Sequence, residues 1–153
     1  MFKNLSDQVD AEKYFTEAIV RDFDRSRVAK VVGLRQAPIV LDGTITSITY
    51  TPDAYIYAGN TESNTIDLPV NTVLASSYRC SVNVNIKIRR KSDNKIIWQG
   101  DFSDEREYQA PQIGLAVINS ADPLYNHSAH NEVVEQLAND MMQTAHDRIT
   151  ENF

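Results

Sequence analysis

Apolar residues recur at mostly three- and four-residue steps near the start of the chain, where Val9, Ala11, Tyr14, Phe15, Ala18, Ile19 and Phe23 alternate with Asp, Glu, Lys and Arg across residues 6–27. That spacing gathers one apolar stripe on a 3.6-residue turn and predicts an amphipathic helix. Ser6, Asp7 or Asp10 can cap its start by accepting a backbone N–H bond, and Asp10 and Glu12 suit the positive end of its dipole. A short apolar run, Val28 to Val32, follows and breaks at Gly33. Residues 38–50 are then rich in β-branched types, which predicts a strand with Ile39, Leu41 and Ile45 on one side. Ile48 and Tyr50 have the opposite parity, so either the far end of the strand buries both faces or a bulge interrupts it between Gly43 and Ser47; the bulge is the favoured reading.

Residues 51–76 contain Pro52, Gly59, Pro69 and a polar run from Asn60 to Thr65, which predicts a long hairpin loop, with Tyr55, Ile56 and Tyr57 hinting at a short extension of the strand. A loop of that length is a candidate contact surface or simply a disordered tip. The clearest pattern is in Tyr78 to Ile88. Tyr78, Cys80, Val82, Val84, Ile86 and Ile88 alternate without a break against Arg79, Ser81, Asn83, Asn85 and Lys87, the signature of a strand with one dry and one wet face. At about 1.5–3 kcal/mol per large buried side chain, the dry face represents on the order of 10 kcal/mol of gross burial, which penalises a one-residue slip.

The polar turn Arg89 to Lys95 leads into Ile96 to Ser103, where Ile96, Trp98 and Phe102 repeat the period of two and predict an antiparallel hairpin. A second loop is expected through Pro111, Gly114 and Pro123. A closing helix then follows from about Ser128, with Val134, Leu137, Ala138, Met141, Ala145 and Ile149 as its stripe. Half-dry strands and two amphipathic helices imply an α+β two-layer sandwich. It has a mainly antiparallel or mixed sheet of three to four strands with both helices on one face. There is no internal repeat or linker, so residues 1–153 read as one domain. The other sheet face, carrying Arg79, Asn83, Asn85 and Lys87, must meet water or a polar partner.

Composition narrows the function. With 15 Lys and Arg against 21 Asp and Glu, the net charge of −6 disfavours nonspecific nucleic-acid binding. No run approaches the length of a membrane-spanning helix, and residues 1–15 have no charged and apolar leader pattern. Phe2-Lys3-Asn4, directly after Met1, reads as the end of a strand, so an upstream segment is expected. Cys80 lies in the apolar alternation and reads as a core thiol.

Candidate chemistry is sparse. His127 and His130, with Asp122 nearby, have a spacing that could serve Zn²⁺ only if further ligands converged, and they read instead as decoration at the start of the last helix; His146 is expected to face solvent. Asp101, Asp104, Glu105 and Glu107 match neither a Ca²⁺ loop nor a carboxylate pair of known spacing and read as a solvated strand end. There is no nucleophile elbow, phosphate-binding loop or zinc-peptidase motif, so no catalytic residue, metal ligand or cofactor is assigned. Arg89, Arg90, Lys91 and Lys95 crowd one hairpin tip. Either they keep a hairpin end soluble, or they meet phosphates of a ligand or acidic groups of a partner. Lipid phosphate fits better than nucleic acid, because no aromatic residues interleave the cations for base stacking.

The ordered motifs resemble the LptE family of lipopolysaccharide-assembly lipoproteins. The likeness spans nearly the whole chain. It rests on Phe2-Lys3-Asn4 before a helix bearing Glu12 and Thr16, on Leu41-Asp42-Gly43-Thr44-Ile45, on Tyr78 opening the alternating strand, on Ile96-Ile97-Trp98 with Phe102 and Tyr108, and on the helix ending at Phe153. The resemblance implies a non-enzymatic outer-membrane lipoprotein facing the periplasm. Such a protein plugs a large β-barrel and assists the placement of lipopolysaccharide, with the barrel and lipopolysaccharide as its partners. It implies the order β-α-β-β-β-α, with the first strand, the signal peptide and the lipid-bearing cysteine upstream of Met1; Cys80 is not that cysteine. A sheet lacking its first strand would expose an edge for pairing. The family's lipid contacts are basic, but Arg89, Arg90, Lys91 and Lys95 are chosen here by clustering alone. The alternative is a stand-alone periplasmic ligand-binding or envelope-secretion lipoprotein, which a closed apolar pocket between helices and sheet would favour. An enzyme is the third reading, and no catalytic constellation supports it.

Overall fold

The computed structural model describes residues 1–57, 73–109 and 123–151. Its elements are β1 (Lys3–Asn4), α1 (Ala11–Ser26), β2 (Ile39–Tyr57), β3 (Val73–Arg90), β4 (Ile96–Gln109) and α2 (Pro123–Thr150). They form one mixed sheet in the order β1-β2-β3-β4, with the helices layered on one face, the expected α+β sandwich. β1 runs parallel to β2 through Lys3↔Thr44 and Asn4↔Ile45, and the other neighbours are antiparallel. A first strand is therefore present within residues 1–153, at Lys3–Asn4, where the expectation from sequence had it missing. Two residues are too few to show a period, but they suffice to close the β-α-β-β-β-α order. Along the rest of β2 this edge has no β1 partner.

Side chains hold β1 as much as the ladder does. The Phe2 backbone N–H donates to Thr16 Oγ1 at 3.1 Å, and Thr16 donates in turn to the Glu12 carbonyl at 2.6 Å. Asn4 Nδ2 donates to Glu12 Oε2 at 3.2 Å and to the Gln8 carbonyl at 2.7 Å. The helix starts later than its apolar spacing suggests. Asp10 sits at its N-cap in a left-handed conformation (φ 64°) without a side-chain cap bond, and its carboxylate instead pairs with Lys13. Val9, counted in the stripe by spacing, is consequently exposed.

The bulge lies where parity placed it. Ile45 pairs with Val84 and Ser47 with Asn83, so Thr46 is the extra residue, and its hydroxyl donates to the Asn83 carbonyl at 3.0 Å. This shift lets Ile45, Ile48 and Tyr50 all turn toward the helices. β2 and β3 continue into the expected 51–76 loop, pairing as far as Tyr57↔Val73, so the strand extension is far longer than Tyr55 to Tyr57 alone suggested; the tip, 58–72, lies outside the described residues. So does most of the second expected loop, 110–122, while α2 begins at Pro123 rather than near Ser128. The core joins Cys80, Val82, Val84 and Ile86 of β3 to Phe15, Ala18 and Ile19 of α1 and to a wide stripe of α2 that includes Val133 and Met142 as well as the predicted Val134, Leu137, Ala138, Met141 and Ala145; Ile149 is buried beyond this cluster.

Candidate functional site

The uncovered sheet face is a set of polar ladders across the strands. Arg79 on β3 donates to Asp53 on β2 from Nη2 (2.8 Å) and Nε (3.1 Å), and to Glu105 on β4 from Nη1 (2.8 Å). These hydrogen bonds and the two negative charges raise the Arg79 pKa above its ordinary value. Asn83 donates to Ser47 Oγ at 3.0 Å, and Asn85 donates to Asp101. Lys87 stands between Asp42 and Gln99 in the strand register. The four predicted face residues thus share one polar surface, largely neutralised from within. The acidic cluster is divided by strand alternation: Asp101 and Glu105 join this face, whereas Asp104 and Arg106 alternate to the helix side, where Arg106 binds Gln136 and Asp140.

The four cations at the hairpin tip are brought together but are not equally available. Arg89 donates to Asp42 and to Asn94 Oδ1, the latter at 2.8 Å. Arg90 pairs with Asp93 at 3.3 Å. Lys91 Nζ donates to the carbonyls of Leu34 and Arg35 at 2.8 and 3.1 Å, while its backbone N–H donates to the Pro38 carbonyl at 2.9 Å. Lys91 therefore clasps the 33–38 segment to the tip. Among the described residues, Lys87 and Lys95 have no ion-pair partner.

Behind this clasp lies a feature that the sequence reading missed. Where α1 and α2 end, the layers part and enclose an apolar cavity of about 650 Å³, open on one side. Ile19, Phe23, Ile149, Leu41 and Ile88 line it, together with residues of the irregular segment from Val28 to Pro38. The available signal was the run Val28 to Val32, which is apolar yet lies in no helix or strand.

The histidines separate. His146, expected in solvent, is buried: Nε2 meets Ser26 Oγ at 2.8 Å, Nδ1 meets Asp147 Oδ1 at 3.0 Å, and the ring packs edge-on against Phe23. It lies four residues after Met142 and three before Ile149, squarely on the buried stripe. His130 stacks on Tyr50 with ring centroids 4.2 Å apart and meets Tyr108 edge-on, so it is part of an aromatic cluster, while His127 is exposed. Burial, then the nearby charge of His127, lowers the His130 pKa. Among the described residues no group of three His, Cys, Asp or Glu side chains is placed to hold a metal; Asp122 lies outside them. Cys80 is a buried free thiol whose pKa burial pushes up to about 11, a hydrogen bond with Tyr50 acting in the opposite direction.

The profile of the lipopolysaccharide-assembly family LptE matches residues 1–151, nearly the full chain and every element just described. The chain belongs to the LptE family. Its family motifs now have structural meaning: Asn4, Glu12 and Thr16 form the β1 clasp, and Gly43 lies under the Phe2 ring. No curated protein matches the sequence. Among solved structures, a lipoprotein candidate from Caulobacter crescentus CB15 is similar in fold, with a TM-score of 0.54 and 8% identity over 95% of this chain and 84% of the other. A candidate homologue of the neuraminyllactose-binding haemagglutinin from Helicobacter pylori is similar with a TM-score of 0.51 and 13% identity, covering 95% of this chain and 80% of its own. At these identities the two show a shared fold. The LptE family is one of assembly proteins.

Proposed function

We propose that this LptE-family chain is the periplasm-facing domain of an outer-membrane lipoprotein that plugs a β-barrel translocon and assists the assembly of lipopolysaccharide without catalysing a reaction. The observation that carries the reading is the helix-free sheet face. Arg79, Asn83 and Asn85 are matched in cross-strand ladders, so a polar barrel lumen can enclose them with their hydrogen bonds made, and Lys87, which has no ion-pair partner among the described residues, is the charge left for the barrel wall to meet. In this reading Arg79, Asn83, Asn85 and Lys87 face the barrel, and the basic tip of Arg89, Arg90, Lys91 and Lys95 faces lipopolysaccharide phosphate. Lys95 is the readiest contact there, since Arg89 and Arg90 already have carboxylate partners. Attachment to the membrane is through a lipid on a residue outside residues 1–153.

The test is a pull-down of the tagged full-length protein from detergent-solubilised outer membranes, with the main stoichiometric partner identified by mass spectrometry. A large β-barrel at about one to one supports the plug. Recovery of the protein alone, under conditions that keep other envelope complexes intact, removes the reading. The apolar cavity favours a second reading, a ligand-binding envelope lipoprotein that acts without a barrel. Under that reading the protein is recovered alone and retains a small-molecule ligand.

A further inference from the structure

The cavity between the ends of the helices and the sheet has the size of a small-molecule site, which typically falls at about 300–1,000 Å³. Its walls are apolar, and Lys30 is the one charged residue among those that line it. The irregular segment that contributes to its lining is unusual for so acidic a chain. Residues 25–35 contain Arg25, Arg27, Lys30 and Arg35 and no acid, and among the described residues none of the four is ion-paired. Interleaved with them, Val28 and Leu34 are 61% and 65% exposed. Exposed apolar side chains lining an apolar cavity beside Lys30, with Arg25, Arg27 and Arg35 near them in sequence, match a ligand with a hydrocarbon tail and a negative head.

We propose that this cavity binds one alkyl chain of a monomeric anionic amphiphile, with the tail between Ile19, Phe23, Leu41 and Ile149 and the phosphate or carboxylate head at Lys30. The inference deepens the ligand-binding part of the second reading and rests on the cavity, whether or not the protein also fills a barrel: it concerns binding by the free domain, so neither outcome of the barrel pull-down decides it. The head must be anionic because the cavity lining contains no acid to receive a cation. The tail must matter because burial of each methylene favours binding by up to about fourfold.

The experiment is calorimetric titration of the 153-residue chain with dodecyl phosphate below its micellar concentration, beside octyl phosphate, dodecyltrimethylammonium and inorganic phosphate. The expected result is saturable one-to-one binding of dodecyl phosphate, weaker binding of octyl phosphate, and none of the other two. Lys30→Glu, at an exposed position, should weaken dodecyl phosphate at least tenfold. Val20→Phe, which fills the cavity from α1, should weaken it similarly, with the unfolding midpoint confirming that the variant folds. Equal binding of the cationic amphiphile, binding of inorganic phosphate alone, or affinity untouched by Lys30→Glu would overturn the proposal. So would adsorption to anionic phosphatidylglycerol vesicles without uptake of monomeric dodecyl phosphate, because that outcome makes the region a membrane-docking surface instead.

Discussion

The Phe2 ring lies against the bare α-carbon of Gly43, so closely that a β-carbon built there would stand 2.3 Å from Phe2 Cε1. Phe2 is itself buried in the core cluster, and although it borders the cavity, its ring must shift to admit the β-carbon. Gly43→Ala is therefore expected to displace β1 and to destabilise the fold by about 1–3 kcal/mol, the usual range for overpacking. Gly33, with nothing within 4 Å of a β-carbon, is the control. Gly33→Ala should leave stability unchanged or raise it by about 0.4–1 kcal/mol by restricting the unfolded chain. Urea unfolding of the two variants reads the contrast directly.

His146→Ala should be costly for a residue only four positions from the end of α2. It removes a ring packed on Phe23 and leaves Ser26 Oγ without its imidazole partner. A loss of about 1–3 kcal/mol is expected, seen as a lower denaturation midpoint with an unchanged slope. A loss under about 0.5 kcal/mol would show that the ring is not packed as described.

Cys80 should be chemically silent in the native protein. With its pKa pushed up to about 11, the thiolate fraction at pH 8 is about one in a thousand. Iodoacetamide at pH 8 should label it only through unfolding, so the rate should rise steeply with urea. The same shift affects stability, because the folded state holds the proton more tightly than the unfolded state. The Cys80 contribution is complete below the ordinary thiol pKa of about 8.5 and is lost as pH rises toward about 11. Unfolding midpoints measured across that window should fall less for Cys80→Ala than for the parent chain.

Two cations at the hairpin tip should behave differently when removed. Arg89 joins Asp42 to Asn94 while partly exposed, so Arg89→Ala is expected to cost about 0.2–1 kcal/mol. Lys95→Glu should leave the unfolding midpoint nearly unchanged, since no ion pair among the described residues involves it. It should still reduce retention on immobilised lipopolysaccharide if the tip meets phosphate. Retention unaffected by Lys95→Glu would move the lipid contact away from the tip.

The strands were legible wherever a period of two ran long enough to count. Tyr78 to Ile88 fixed the wet and dry faces of β3, and the parity change between Ile45 and Ile48 located the bulge that the register assigns to Thr46. β1 was only half legible, because Phe2-Lys3-Asn4 reads as a strand end and a two-residue strand has no period. His146 was misread because the α2 stripe was counted too narrowly. Val9 was misread because the left-handed Asp10 starts the helix after it. At the candidate site, Arg89 to Lys95 could be grouped by proximity in sequence. Their partners could not: Asp42, Leu34 and Arg35 arrive from the far side of a strand pairing, and only the fold shows which charges are already spoken for. The cavity was hidden for a related reason, since residues that line a void follow no periodicity along the chain.

Within residues 1–153, the two-residue β1 has a mechanical consequence. Tension applied at the amino terminus would reach the sheet through two ladder positions, the Phe2 ring on Gly43 and the bonds from Phe2 and Asn4 to α1. That load path is much weaker than the long β2–β3–β4 ladder behind it. A domain pulled from that end should peel at β1 first and keep its three antiparallel strands, giving the molecule a yielding tether on a stiff body.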